Sequence, residues 1–113
     1  MNKLPKVESV EADRRKVIDY ALNPNNISGG SNKAKVFESA LGYNKFNAEK
    51  LIEQINQKLA KYEAVLGKKD QYGQRFTVDI PIIGENGKTA IVQTGWILET
   101  ESEIPRMTTL FVK

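Results

Sequence analysis

Gln74-Arg75-Phe76-Thr77-Val78-Asp79-Ile80-Pro81-Ile82 is the stretch that decides the fold. Phe76, Val78, Ile80 and Ile82 alternate with Arg75, Thr77 and Asp79, and successive side chains of a β-strand point to opposite faces. A period of two therefore predicts a strand with one apolar face. Gly84-Glu85-Asn86-Gly87 follows, and an Asn-Gly pair between two strand-like runs is a specific hairpin signal. The returning strand is predicted over Lys88 to about Leu98. Glu99 to Glu103 is an acidic connector, and Pro105 opens a last strand, Arg106 to Val112.

Upstream of this stretch the period becomes helical. Val10, Val17, Ile18, Ala21 and Leu22 recur at helical spacing, so a helix is predicted from Val10 to about Leu22, capped by Ser9 and stopped at Asn23-Pro24. A loop rich in turn formers follows, Asn25 to Gly30. Ser31 or Asn32 then caps a short helix through Leu41, with Gly42 where a left-handed cap belongs. Asn47 is placed to cap a longer helix, Ala48 to Leu66, whose apolar stripe is Leu51, Ile52, Ile55, Leu59, Tyr62 and Val65. The sum is an α+β domain, with N-terminal helices packed on one face of a C-terminal antiparallel sheet of three or more strands. Residues 1–8 read as a loose lead-in and 9–113 as a single domain, without repeats or low-complexity runs.

The 113 residues suffice for one core, and 40% hydrophobic with 27% charged residues is ordinary for a folded domain. No apolar run approaches the ~20 residues that span a bilayer. Met1 to Lys6 is polar and contains Pro5, so it is not a signal peptide, and an exported domain would need a longer parent to carry it. Cysteine and histidine are both absent. Disulfides, thiol nucleophiles, the usual zinc sites and histidine-based triads are thereby excluded. Asp13, Asp19, Asp79 and the acidic connector show no metal-ligand pattern, and no cofactor is expected. A net charge of +3 is compatible with a nucleic-acid partner without requiring one.

Two features carry chemistry. Ser28-Gly29-Gly30-Ser31-Asn32-Lys33 leads into a helix, where free backbone N–H groups and a lysine suit a phosphate. It is not a Walker loop, and it also reads as a connector ending in a cap. The second feature is the polar sheet face, where Arg75, Gln93 and Arg106 gather with hydroxyls such as Thr108 among them. Guanidinium groups clamp phosphate oxygens, although a solvated sheet face looks the same. Trp96 suits base stacking or the core. Tyr72 and Tyr43 lie in loops and offer a phenol or a seal at a core edge.

Leu22-Asn23-Pro24, Lys33-Ala34-Lys35-Val36-Phe37, Leu41-Gly42-Tyr43, Tyr72-Gly73-Gln74-Arg75-Phe76-Thr77-Val78, Asn86-Gly87, Gln93-Thr94-Gly95-Trp96-Ile97 and Ile104-Pro105-Arg106-Met107-Thr108-Thr109 resemble, in order and spacing, a family of small bacterial domains of unknown function. These domains occur alone and at the C-termini of phage head-associated and polymorphic toxin proteins. The resemblance spans about residues 7–111. The chain departs from the pattern at Asn26, where the family has histidine, at Ile27, where it has proline, and at its Phe111-Val112-Lys113 end. If the family's histidine is catalytic, the Asn26 departure costs activity. Family context, size and layout are similar to the barnase–EndoU–colicin–RelE group of ribonucleases.

That resemblance implies a metal-independent ribonuclease toxin domain that cleaves RNA, tRNA or rRNA, in a target bacterial cell. Lys33, Arg75, Arg106 and Thr109 are the expected catalytic residues. Thr94, Trp96, Gln93, Tyr72 and Thr108 are the expected substrate contacts. Tyr72, or a lysine of lowered pKa, serves in proton transfer. An acidic cognate immunity protein is the expected protein partner. The domain would be delivered as part of a larger protein into the target-cell cytoplasm, or else work in its own. A non-catalytic binding or accessory module of a phage or toxin system, and an immunity-type or regulatory protein, are the competing readings.

Overall fold

Residues 2–25 and 30–113 are described by the computed structural model. The alternating stretch forms β2, Gly73–Ile83, and returns as β3, Thr89–Glu99, through the expected Asn86-Gly87 turn. Gly87 takes φ 80°, and the Gly84 amide donates to the Lys88 carbonyl at 2.7 Å. β4, Arg106–Val112, pairs with β3, and β1, Ala64–Asp70, pairs with β2. The sheet runs β1-β2-β3-β4 and every pairing is antiparallel.

The register assigns the two faces. Phe76 lies opposite Trp96, Val78 opposite Thr94 and Ile80 opposite Val92. These residues are buried together with Phe37, Leu41, Leu51, Ile55 and Leu59 of the helical layer. Each large side chain so buried contributes about 1.5–3 kcal/mol. The helices are α1, Gly30–Leu41, and α2, Ala48–Lys58, preceded by a first helix, Arg15–Ala21, wound with i→i+5 bonds. Gly42 takes φ 74°, the left-handed cap expected after Leu41. Tyr43, 1% exposed, ties the α1–α2 loop to the end of β2: its hydroxyl donates to the Ile83 carbonyl at 2.6 Å and accepts from Gln54 at 2.7 Å.

Three expectations are corrected. The first helix does not run from Val10, because Asp13 receives the Arg15 amide on its side chain and the Val17 amide on its carbonyl, and so starts the helix there. The third helix stops at Lys58 rather than Leu66. A 3-10 turn, Leu59–Lys61, buries Leu59, and the chain then enters β1. Gly67 would cost about 1 kcal/mol if the helix ran on through it, and β2 offers antiparallel partners to Ala64, Val65, Leu66, Lys69 and Asp70 of β1. Val65 and Leu66 consequently stand 55% and 67% exposed instead of completing the helical stripe. The lead-in is not loose either: Leu4 is 3% exposed in the core, and the Ala64 amide donates to the Asn2 carbonyl at 2.8 Å.

Candidate functional site

The opposite sheet face is laid out by the same register. One row across it is Arg75, Ile97 and Arg106, and the next is Thr77, Gly95 and Thr109. A third row holds Asp79, Gln93 and Phe111. Rows on one face are two residues apart, about 7 Å. Between the first two rows β4 carries a bulge, because Gly95 pairs with Thr109 and Trp96 with Met107, leaving Thr108 over. Bulges re-aim side chains, and this one brings both threonines over Gly95. A Cβ on Gly95 would meet Thr109 Cγ2 at 2.9 Å and Thr108 Oγ1 at 3.1 Å. The absent side chain is the room in which the two threonines sit.

Lys33, on the first turn of α1, reaches this point over the edge of β4. Its Nζ donates to Thr109 Oγ1 at 2.8 Å and to the Tyr20 hydroxyl at 3.2 Å. It also lies 4.7 Å from the Tyr20 ring centroid and 5.8 Å from that of Phe111. Lys33 is half-buried and, among the described residues, forms no ion pair. Carboxylates of the same face are already engaged: Asp79 holds Lys113 at 2.9 Å and Glu99 holds Arg106 at 2.8 Å. Among the described residues the Lys33 ammonium thus contacts hydroxyls and rings and no carboxylate.

An ammonium has three donors and no acceptor. Two are directed at Thr109 and Tyr20, and among the described residues the third has no partner. Both hydroxyls accept from Lys33, and neither O–H donates to another described residue. Among the described residues the cluster therefore presents one N–H and two O–H groups, with Thr108 adjacent. Tyr20 owes its position to the first helix, whose wide i→i+5 winding is rare and is found at functional sites.

A cleft of about 230 Å³ opens beside the ammonium, lined by Asn32, Lys33, Val36, Phe111 and Val112. A larger hollow of about 370 Å³ lies at the N-terminal turn, against Leu4, Lys6, Val7, Glu8 and Ser9, and none of the sheet-face residues lines it.

Of the expected catalytic residues, Lys33 and Thr109 touch. Arg75 and Arg106 share their face but sit one row away, flanking Ile97, which is 2% exposed although it belongs to the face away from the helices. Lys33 and the two arginines thus do not line one common cleft; Arg106, 54% exposed, is held by Glu99. Gln93 is on the same face, beside Phe111. Tyr72 stands 63% exposed at the tip of the β1–β2 hairpin. Thr94 and Trp96 are misplaced as substrate contacts. They point into the core at 0% and 1% exposure, where Trp96 Nε1 donates to Thr94 Oγ1 at 2.8 Å and Thr94 donates to the Val78 carbonyl at 2.8 Å. Of the expected phosphate loop, residues 28 and 29 lie outside the described residues, as do Asn26 and Ile27. The sequence offers Asn32 as a helix cap and a member of the glycine-rich loop, and it gives Tyr20, Val36 and Phe111 no role at the site. Tyr20 falls off the regular helical stripe, and nothing in its neighbours announces a contact with Lys33.

Among the described residues no group of three or more acidic, cysteine or histidine side chains is placed to hold a metal ion. No described helix is long and apolar enough to cross a membrane.

Comparison with known proteins adds two findings. The family described as a domain of unknown function, DUF6883, matches residues 3–113. A chain in a solved structure, that of the contact-dependent growth inhibition toxin–immunity protein complex from Klebsiella pneumoniae 342, is 21% identical with a TM-score of 0.65, covering 95% of this chain and 96% of that one. At that identity the likeness establishes a shared fold. No curated protein matches the sequence.

Proposed function

The chain belongs to the DUF6883 family, and we propose that it is a toxin domain that cleaves RNA without a metal ion, with the scissile phosphate held at Lys33. The observation that carries this reading is the half-buried Lys33 ammonium, fixed by Thr109 and Tyr20 and unpaired with any carboxylate among the described residues. Fold kinship with a chain of a toxin–immunity complex supports the toxin context.

In the proposed reaction the ribose 2′-oxygen attacks phosphorus, the P–O5′ bond breaks, and a 2′,3′-cyclic phosphate and a 5′-hydroxyl are left. Lys33, Thr109 and Thr108 donate to the non-bridging oxygens as charge builds there. Each preorganised donor supplies on the order of 3 kcal/mol in such a site. Tyr20, its oxygen already accepting from Lys33, gives its proton to the departing 5′-oxygen, and the 2′-proton leaves to solvent. This places the proton transfer on Tyr20 rather than on Tyr72. Arg75 and Arg106, about 7 Å further along the sheet, clamp a neighbouring phosphate, with Gln93 beside them. An acidic immunity protein would neutralise this face. Delivery as part of a larger protein and action in the target cytoplasm complete the reading.

Expression in bacteria followed by a gel of total RNA tests it. Discrete tRNA or rRNA fragments are expected, and intact RNA with normal growth would overturn it. One feature favours a second reading, a protein-binding accessory module. β1 is an edge strand whose Val65 and Leu66 are exposed, and an open strand edge accepts a partner's strand.

A further inference from the structure

We propose that the cleft beside Lys33 is a nucleobase subsite, in which a base of the substrate stacks on Phe111 and has its edge read by the Asn32 amide. The inference rests on the ribonuclease reading of the Lys33–Thr109 site and assigns it a specificity pocket.

The cleft shares Lys33 as one wall, so a phosphate on the ammonium puts its own nucleoside at the opening. The Phe111 ring centroid lies 5.8 Å from Lys33 Nζ, a gap that a ribose bridges. Size agrees: about 230 Å³ is several times the roughly 30 Å³ that one water occupies in the liquid, enough for a flat heterocycle.

Lining chemistry then separates base from phosphate. The side chains of Val36, Phe111 and Val112 carry no donor, so this part of the cleft is not built for a second anion. It suits the apolar face of an aromatic ring, and stacking on a protein ring is how single-stranded bases are held. Val36 is 44% exposed in the middle of α1; it is turned toward this cleft and away from the core, which a ligand that covers it would explain. Asn32 is exposed beside it, and its side-chain amide carries a donor and an acceptor side by side. That pair can bond bidentately to a base edge that presents an acceptor next to a donor, as adenine's does.

The test is an NMR titration of the whole chain with three probes: AMP, UMP and ribose 5-phosphate. AMP is expected to shift the Lys33, Phe111 and Val112 amides and to bind roughly tenfold or more tighter than ribose 5-phosphate, with UMP between them. Val36→Trp, at an exposed position, fills the cleft; it should abolish the advantage of AMP and leave ribose 5-phosphate binding intact. Phe111→Ala, on the opposite wall, should reduce the same advantage. Equal binding of AMP and ribose 5-phosphate, or undiminished AMP binding by both variants, overturns the subsite. Cleavage of RNA by a protein that shows no base discrimination would reject the subsite and keep the ribonuclease. Base discrimination without RNA cleavage would keep the subsite and reject the ribonuclease.

Discussion

Replacing Thr109 by valine removes one hydroxyl while keeping a β-branched side chain in β4. The lost contact is the 2.8 Å bond from Lys33 Nζ to Thr109 Oγ1. Hydrogen bonds involving a charged group contribute about 1.5–3 kcal/mol. Here the lysine is half-buried, so water recovers part of that, and a net loss of about 1–2 kcal/mol is expected. For a domain of this size each kcal/mol moves the midpoint by about 4–8 °C, so melting should fall by roughly 5–10 °C. The effect on cleavage is larger than stability alone would give. Valine removes a donor to the phosphate and also releases the lysine that the donor anchored. One preorganised donor accounts for about a hundredfold in rate, and the loosened ammonium adds to that. Thr109→Ser keeps the hydroxyl and should recover most of the activity. The assay is cleavage of a defined RNA by purified protein, below the melting midpoint of every variant, with circular dichroism as the check on folding. A folded Thr109→Val protein that cleaves at the wild-type rate would refute the reasoning, whatever its melting temperature.

Arg106→Ala should cut cleavage about tenfold, leave the fold intact and reduce the slope of log affinity against log salt by about one, read from binding isotherms at several salt concentrations. Trp96→Phe should cost about 1–2 kcal/mol through the lost bond to the buried Thr94 while leaving the RNA fragment pattern unchanged, which thermal melts and a sequencing gel would show; a changed pattern would return Trp96 to the substrate. Tyr43 has its pKa raised above 10.0, first by burial and then by Glu85. The protonated phenol is therefore favoured by the fold, so its contribution is fully present below about pH 10 and is lost as the pH rises through the folded value. Tyr43→Phe should flatten that alkaline loss in a series of denaturant melts, at a constant cost of about 1 kcal/mol from its missing hydrogen bonds.

Much of this fold is legible because its signals are local. The alternation from Phe76 to Ile82 and the Asn86-Gly87 turn position a hairpin, and Pro105 positions the last strand. β1 is not legible, because Val65 and Leu66 happen to continue the period of α2 and their pairing with β2 is a tertiary fact. Site residues divide the same way. Gln93 and Thr94 are neighbours on one strand, so a face that takes Gln93 cannot take Thr94; parity alone assigns Thr94 and Trp96 to the core beside Val78 and Phe76. Their buried bond shows why a polar pair can be structural. The bulge at Thr108 and the wide turn of the first helix, by contrast, break local periodicity. They create the Tyr20–Lys33–Thr109 contact, and a reading by period has no access to it. Alternation puts Arg75 and Arg106 on one face, but the row that separates them from Thr109 depends on register, which the turn and bulge together set.

In the proposed reaction the reacting phosphate sits on the Lys33 ammonium. Single-turnover cleavage of RNA by the wild-type chain and by Lys33→Met, in excess chelator, is the sharpest test of that placement. Wild-type products ending in 2′,3′-cyclic phosphate are expected, with a rate at least about a hundredfold lower for the variant and far-UV circular dichroism unchanged. A folded Lys33→Met protein that cleaves as fast as the wild type, or a wild type that leaves RNA whole, would contradict it.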